Sequence, residues 1–278
     1  MRNRRLFASL MILTATLMWG LSYALQSMSA DHLGSYTIVF FKGIGGIFLL
    51  LLILLRRQRS KTQEIKAGLA IGLIAFLGCL LQQKGIELST VSKASFITAL
   101  YIVFVPLLEM RSGKTIGARL LLAVGIALTG LYFLCVTESI SLNLGDLLLL
   151  LGSFCFAVQI ILTDRSLDSC DPLCLTMVSQ LVISLLSGTL ALVLEKPKAA
   201  DLSQVILPIL FLVFVSGALA QTIQNTFQKD TGASLASLLM SFESVFGALS
   251  GWLLLGQTLS LREGFGCLLV FLAILLAE

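Results

Sequence analysis

About ten apolar stretches, separated by short polar connectors, occupy nearly all of the 278 residues. No charge occurs between Arg5 and Asp31, nor within residues 120–137, 147–163, 172–194 or 202–228. About 20 residues of helix cross a hydrocarbon core, and a helix satisfies its own backbone there. The pattern therefore predicts an all-α polytopic membrane protein, with almost nothing left over for a soluble domain. Composition agrees: 57% of residues are hydrophobic and 12% charged, against about 25% charged in soluble domains. The net charge of +4 then reports on topology, and no nucleic-acid partner is expected. Arg2, Arg4 and Arg5 followed by an apolar run to Ala30 have the order of a secretory signal. The run is long enough to span and further spans follow, so it is read as the first helix.

Charges and breaks place spans near residues 7–26, 35–55, 67–83, 94–110, 118–136, 146–163, 172–194, 204–224, 233–254 and 263–277. The shorter ones must thin the bilayer locally or be interrupted helices. With the N-terminus inside, the cytoplasmic segments collect Arg2, Arg4, Arg5, Arg56, Arg57, Arg59, Lys61, Lys66, Arg111, Lys114, Arg119, Arg165 and Lys229. The opposite connectors hold Lys84, Lys93, Lys196, Lys198 and Arg262, and Lys42 falls inside a span. This bias predicts both termini in the cytoplasm. It is carried by the first half of the chain.

The chain also repeats itself. Ser89-Thr90-Val91-Ser92-Lys93-Ala94-Ser95 aligns with Thr231-Gly232-Ala233-Ser234-Leu235-Ala236-Ser237 at an offset of 142. Gly113-Lys114-Thr115 matches Gly256-Gln257-Thr258, and Arg119 matches Arg262, at an offset of 143. Two halves of five helices enter a membrane from opposite sides, because five is odd. The expected fold is ten transmembrane helices as two inverted-topology five-helix repeats, residues 7–136 and 145–277, with a substrate site near the midplane between them. Chance matching of small residues is the alternative, since Ser, Ala and Gly are common in any membrane helix.

Met18-Trp19-Gly20, the run from Ser92-Lys93-Ala94-Ser95 to Val105-Pro106, Gly145-Asp146, Ser241-Phe242-Glu243 and Leu254-Leu255-Gly256 together resemble the EamA-type transporters of the drug/metabolite transporter superfamily. The resemblance covers the whole chain. It implies a secondary transporter working by alternating access, with a lean toward export of amino acids, metabolites or drug-like solutes. The chain departs from the family pattern at Ser244, where proline is usual, at Gln257, where glutamate is usual, and at Lys42, where arginine often stands.

Charges deep in hydrocarbon cost about 3 kcal/mol each to insert, so Lys42 and Glu243 stand out. Lys42 is flanked by Phe40-Phe41 and by Gly43-Ile44-Gly45-Gly46; Glu243 has Gly247 and Gly251 beyond it. They are candidate walls of a cavity, with Glu243 a candidate for binding a proton or a cationic group. The alternative is that Glu243 braces a helix and Lys42 snorkels to the headgroups. The amides Gln83, Gln159, Gln180 and Gln221 are the next candidates; Gln82, Gln224 and Asn225 share their regions, and helix-to-helix hydrogen bonds are the plainer role for all of them. Trp19 and Tyr101 are candidate aromatic walls. The substrate-binding expectation is therefore Trp19, Lys42, Gln83, Tyr101, Gln159, Gln180, Gln221 and Glu243.

Other features carry less. The six cysteines have no metal-ligand pattern and read as small apolar residues. His32 needs no role, and Asp164, Asp168 and Asp171 read as a solvated connector. Gly68/Gly72 and Gly247/Gly251 allow close helix contact, within the bundle or between chains, and Pro106 and Pro208 are expected to kink their spans. No catalytic or nucleotide-binding motif occurs, so neither an enzyme, a metal site nor a cofactor is expected. Rival readings are a flippase for a lipid-linked group and a non-catalytic subunit of a membrane assembly. Expected partners are a small-molecule substrate, the bilayer, and protons or a counter-substrate, for a monomer or homodimer in the plasma (inner) membrane.

Overall fold

The computed structural model describes residues 2–55, 62–89, 91–135, 143–255 and 260–277. Arg56, Arg57, Arg59, Lys61, Thr90, Gly256, Gln257 and Thr258 lie outside the described residues, as do the side chains of Arg2, Ser92, Cys135 and Leu255. In chain order the helices are α1 (Arg2–Ala30), α2 (Ser35–Leu55), α3 (Thr62–Glu87), α4 (Val91–Ala99), α5 (Tyr101–Arg111), α6 (Ala118–Cys135), α7 (Leu144–Ser166) and α8 (Pro172–Leu190). They continue with α9 (Ala199–Gln204), α10 (Ile206–Phe211), α11 (Gln221–Thr231), α12 (Ala233–Met240), α13 (Glu243–Leu255) and α14 (Leu261–Ala277). Two π-helical stretches, Ala191–Glu195 and Leu212–Ala220, continue α8 and join α10 to α11. No strand occurs among the described residues.

Eight helical segments among the described residues are long and apolar enough to cross a membrane, four of them made of consecutive helical elements: Lys93–Arg111, Pro172–Glu195, Ile206–Thr231 and Ala233–Leu254. The shorter helices α6 and α14, with 18 and 17 residues, pack on each other. Several spans extend past their expected limits. Helix α3 runs from Thr62 to Glu87 rather than 67–83, and the eighth span reaches Thr231 rather than 224. Backbone bonding carries a helix on through charged residues at its ends, where hydropathy falls away. Gln82, Gln83, Gln221, Gln224 and Asn225 are consequently internal to their spans, Thr62–Glu87 and Ile206–Thr231.

Local chemistry explains several helix starts. Asn143 and Asp146 form a reciprocal capping box at the start of α7, with both bonds 2.9 Å. Asp171 is the N-cap of α8, its Oδ1 accepting from the amides of Leu173 and Cys174, with Pro172 at the first helical position. This corrects the reading of Asp171 as solvated connector. Asp164 likewise lies inside α7 and meets Lys114 at 3.4 Å, while Asp168 is exposed.

The fourth and ninth spans are each interrupted. Leu100 separates α4 from α5, and its amide donates to Ile97 O at 3.2 Å. In the second half, the Phe242 amide donates to Leu239 O, also at 3.2 Å, in the gap between α12 and α13. Both are tight three-residue turns at one 142-residue spacing. The expected kink at Pro106 is therefore displaced: Pro106 lies within α5, and the break precedes it. Proline cannot be the general cause, because Ser241-Phe242 contains none. Pro208 sits third in α10, where its missing N–H has no helical partner to lose, and the irregularity follows as the π-helical stretch.

The bundle is apolar outside and polar inside. Leu185 is 70% exposed and Leu207 75%, whereas Gln83, Asn225 and Gln228 are fully buried. That inversion suits a lipid surround and helix contacts made through small and polar residues. Helix α2 crosses α8, α3 packs on α7 and α8, and α1 packs on α13, α11 and Leu212–Ala220. Gly68 and Gly72 face Val178, Ser179 and Val182 of α8, so this glycine pair serves a contact within the chain. Gly247 has only distant neighbours, with Ser95 Cβ at 3.8 Å from the place of a Cβ. The largest apolar cluster joins α5, α6, α7, α12 and α14 through residues such as Ile102, Leu131, Ile160 and Leu238.

Candidate functional site

A π-helical turn throws its backbone hydrogen bonds out of step with the α-helix around it, and such turns recur at functional sites. In Leu212–Ala220 the carbonyls of two adjacent residues accept side-chain donors instead. Trp19 Nε1 donates to Ser216 O at 3.1 Å, and Gln180 Nε2 donates to Gly217 O at 2.9 Å. Gly217 also lets α2 come close: a Cβ there would stand 2.1 Å from the Lys42 carbonyl oxygen. Helices α1, α2 and α8 thus converge on one irregular segment.

The two span breaks meet at the same place. Tyr101, the first residue of α5, donates its hydroxyl hydrogen to Glu243 Oε1 at 2.9 Å, and Glu243 is the first residue of α13. Their separation is 142 residues, the offset seen in the sequence repeat. Glu243 lies in the first turn of α13, the end of a helix at which a negative charge is favoured. Glu243 is 6% exposed. Tyr23 also approaches the carboxyl group, and the Tyr23 hydroxyl accepts from Gln82 Nε2 at 3.0 Å. Next to it, Ser244 Oγ donates to Ser95 O at 3.0 Å, so the residue that replaces the family's usual proline ties α13 to α4.

These groups line a central cavity with ≈ 720 Å³ of space between atoms, of which ≈ 80 Å³ admits the centre of a water molecule. It is a slot between side chains with room for several water molecules. Lys42 lines it beside Glu243, Gln180 and Ser216. Lys42 is near enough to Glu243 to act on it electrostatically, yet no carboxylate among the described residues lies within ion-pair distance. Three oxygens of lining residues, Thr98 Oγ1, Gln180 Oε1 and Ser216 Oγ, are buried and have no hydrogen-bond partner among the described residues. The cavity wall therefore holds one ammonium without a close carboxylate and one carboxyl group bonded by tyrosine. No cluster of described residues could hold a metal ion.

Seven of the eight expected residues line the cavity: Trp19, Lys42, Tyr101, Gln159, Gln180, Gln221 and Glu243. Gln83 does not; it is fully buried with both amide atoms unpaired, and its neighbour Gln82 faces the cavity instead. Adjacent residues on a helix point about 100° apart, so the doublet gives no way to choose between them. Sequence reasoning missed Ser22, Tyr23 and Gln26, which share a wall with Trp19. Their spacing of three to four residues was a usable signal.

A polar chain leaves the cavity toward one end of the bundle. Along α11, Gln221 donates to Gln224 at 2.7 Å, Gln224 to Gln228 at 3.0 Å, and Gln228 to Ile160 O at 2.7 Å. Near that end Glu109, 5% exposed, accepts from Lys114 at 2.8 Å and from the Ser234 hydroxyl. The Glu109 carboxylate holds the Lys114 ammonium above the usual lysine range. At the opposite end Lys93 pairs with Asp146 at 2.7 Å. Glu109 escaped notice in the sequence because it closes an apolar run next to Arg111 and looks like an ordinary span end.

A bundle with an apolar outside, broken helices and a narrow polar slot between them has the form of a membrane transporter. The chain belongs to the EamA-like transporter family, whose model matches residues 6–136 and again residues 143–277. It is similar to an uncharacterized transporter of Archaeoglobus fulgidus (strain ATCC 49558 / DSM 4304 / JCM 9628 / NBRC 100126 / VC-16), 28% identical over 279 residues, covering 99% of this chain and 87% of the relative. A solved structure described as "Crystal structure of protein" shares the fold, with a TM-score of 0.80 at 17% identity over 97% of this chain and 96% of that one.

Proposed function

We propose that this chain is a secondary transporter that moves a small polar solute carrying an anionic group through the central cavity, with export as the direction. The Lys42 ammonium in the cavity wall carries this reading: it is half-buried and has no carboxylate at ion-pair distance among the described residues, so a solute anion would complete its pairing. Tyr101 and Glu243 form the opposite wall, and Trp19, Gln159, Gln180 and Gln221 frame the space between. Alternating access would come from two inverted five-helix halves, residues 7–136 and 145–277, crossing ten times with both termini cytoplasmic. The paired matches of the family model support the halves, as do the two equivalent tight turns at Leu100 and Phe242. Helix contacts support them too: α2 with α8 and α6 with α14 join corresponding helices of the two halves, and α3 with α7 is mirrored by Ile206–Thr231 with α1.

A thermal-shift screen of purified protein against amino acids, organic acids, amines, sugars and nucleosides tests the reading. Solutes with a carboxylate or phosphate should raise the melting temperature, and Lys42→Met should remove that rise. Stabilisation confined to amines or neutral sugars, or unchanged in Lys42→Met, would show the anionic-solute reading to be wrong.

A further inference from the structure

A second cavity opens on the perimeter, between α2, α8 and the chain that follows α8. Its volume is ≈ 570 Å³, far more than that of the central slot. Phe40 and Ile47 of α2 form one wall, Leu185 and Leu192 the other, and Lys198 stands at the mouth. Leu185 and Leu192 are 70% and 71% exposed, so the groove faces out of the bundle. From Thr37 to Ile47 the α2 wall runs about 15 Å at 1.5 Å per residue, half of a hydrocarbon core of about 30 Å. The groove is one leaflet deep. At this end Lys198 is exposed and has no acidic partner among the described residues, while the Glu195 carboxylate beside Thr37 is taken up by the amides of Tyr36 and Thr37 and the Thr37 hydroxyl.

We infer that this groove holds an acyl chain of an anionic phospholipid, with the headgroup phosphate at Lys198, in the leaflet on the side of the α1–α2 connector. An acyl chain matches the length and the apolar walls, and a phosphate matches the lysine. The same two helices carry Lys42 and Gln180 into the central cavity, and Gly43 and Gly46 of α2 press on the α8 backbone between the two spaces. A lipid seated here wedges the outer side of the α2–α8 crossing that walls the transport path. Lipid occupancy and the geometry of that wall are therefore linked.

The test uses the full-length protein in phosphatidylcholine nanodiscs, doped with phosphatidylglycerol or phosphatidylcholine carrying a diazirine near the acyl terminus. Illumination should label residues 40–47 and 185–192 with phosphatidylglycerol well above the level on the lipid-facing residues of α14. Lys198→Glu should lower that labelling about fivefold or more, the scale of one lysine at an anionic surface, while Lys198→Arg keeps it. Labelling spread evenly around the bundle overturns the site. Groove labelling that is equal for the two lipids, or unmoved by Lys198→Glu, overturns the anionic ligand. The readout is covalent capture of lipid, so it stands or falls apart from any transport assay.

Discussion

At Glu243 the cavity wall holds its one carboxyl group among the described residues, bonded by a neutral donor, Tyr101, with no cation at ion-pair distance. Glu243→Gln keeps the shape and an acceptor for Tyr101 while removing the charge. A hydrogen bond to a charged group contributes about 1.5–3 kcal/mol, so flux in proteoliposomes should fall about tenfold or more with folding retained. Parental flux at every pH would make the residue structural. Lys42→Met should abolish transport in a monodisperse protein, and Lys42→Arg should keep part of it, since arginine retains charge but changes reach and donor geometry. Full activity in both variants would mean that the lysine only snorkels. Both charges were legible in the sequence, because a charge inside an apolar run is costly and therefore conspicuous. Neutral polar residues were legible only as sets: the Gln82-Gln83 pair offered two amides, and helix rotation, which one sequence does not reveal, decides which one meets the cavity.

Among elements, the π-helical stretch Leu212–Ala220 does most to shape the site, and no residue pattern announced it. Its sequence, Leu-Val-Phe-Val-Ser-Gly-Ala-Leu-Ala, reads as an ordinary apolar span; the irregularity is imposed by Trp19, Gln180 and the backbone of α2 arriving from elsewhere in the chain. Gly217→Ala should therefore destabilise the fold by about 1–3 kcal/mol through overpacking against Lys42 O. Gly125→Ala on α6, where nothing lies within 4 Å, should leave the melting temperature unchanged. Equal melting temperatures for the two variants would refute the close crossing. The broken spans were half legible. The short expected fourth span, 94–110, called for interruption but the ninth, 233–254, did not, and Pro106 drew attention to the wrong residue, because the break at Leu100 precedes it and the one at Phe242 has no proline.

For the molecule as a whole, the rhythm of apolar runs carried the helical class, since it is written in every segment, and the 142-residue offset pointed to two like halves from a few short stretches. Orientation rests on charge alone, and much of the bias comes from residues around Arg56 to Lys61. Single cysteines at Gln58 and Ser141, in a background where the native cysteines do not label, should react with an impermeant maleimide from the cytoplasmic and the outer face respectively. Reaction from one face at both sites would rule out ten crossings with inverted halves. The hydrogen bond between Tyr101 and Glu243 bears on why such halves belong in one polypeptide. A two-fold axis brings each residue of a self-paired subunit against its own copy. Two copies of the first half would set tyrosine on tyrosine, a donor pair with no ionisable acid, and two copies of the second would set carboxylate on carboxylate, where one charge opposes the other. A bond with an acid on one side and a phenol on the other exists only where the halves have diverged, so the polarity of this site is a property that neither half possesses by itself.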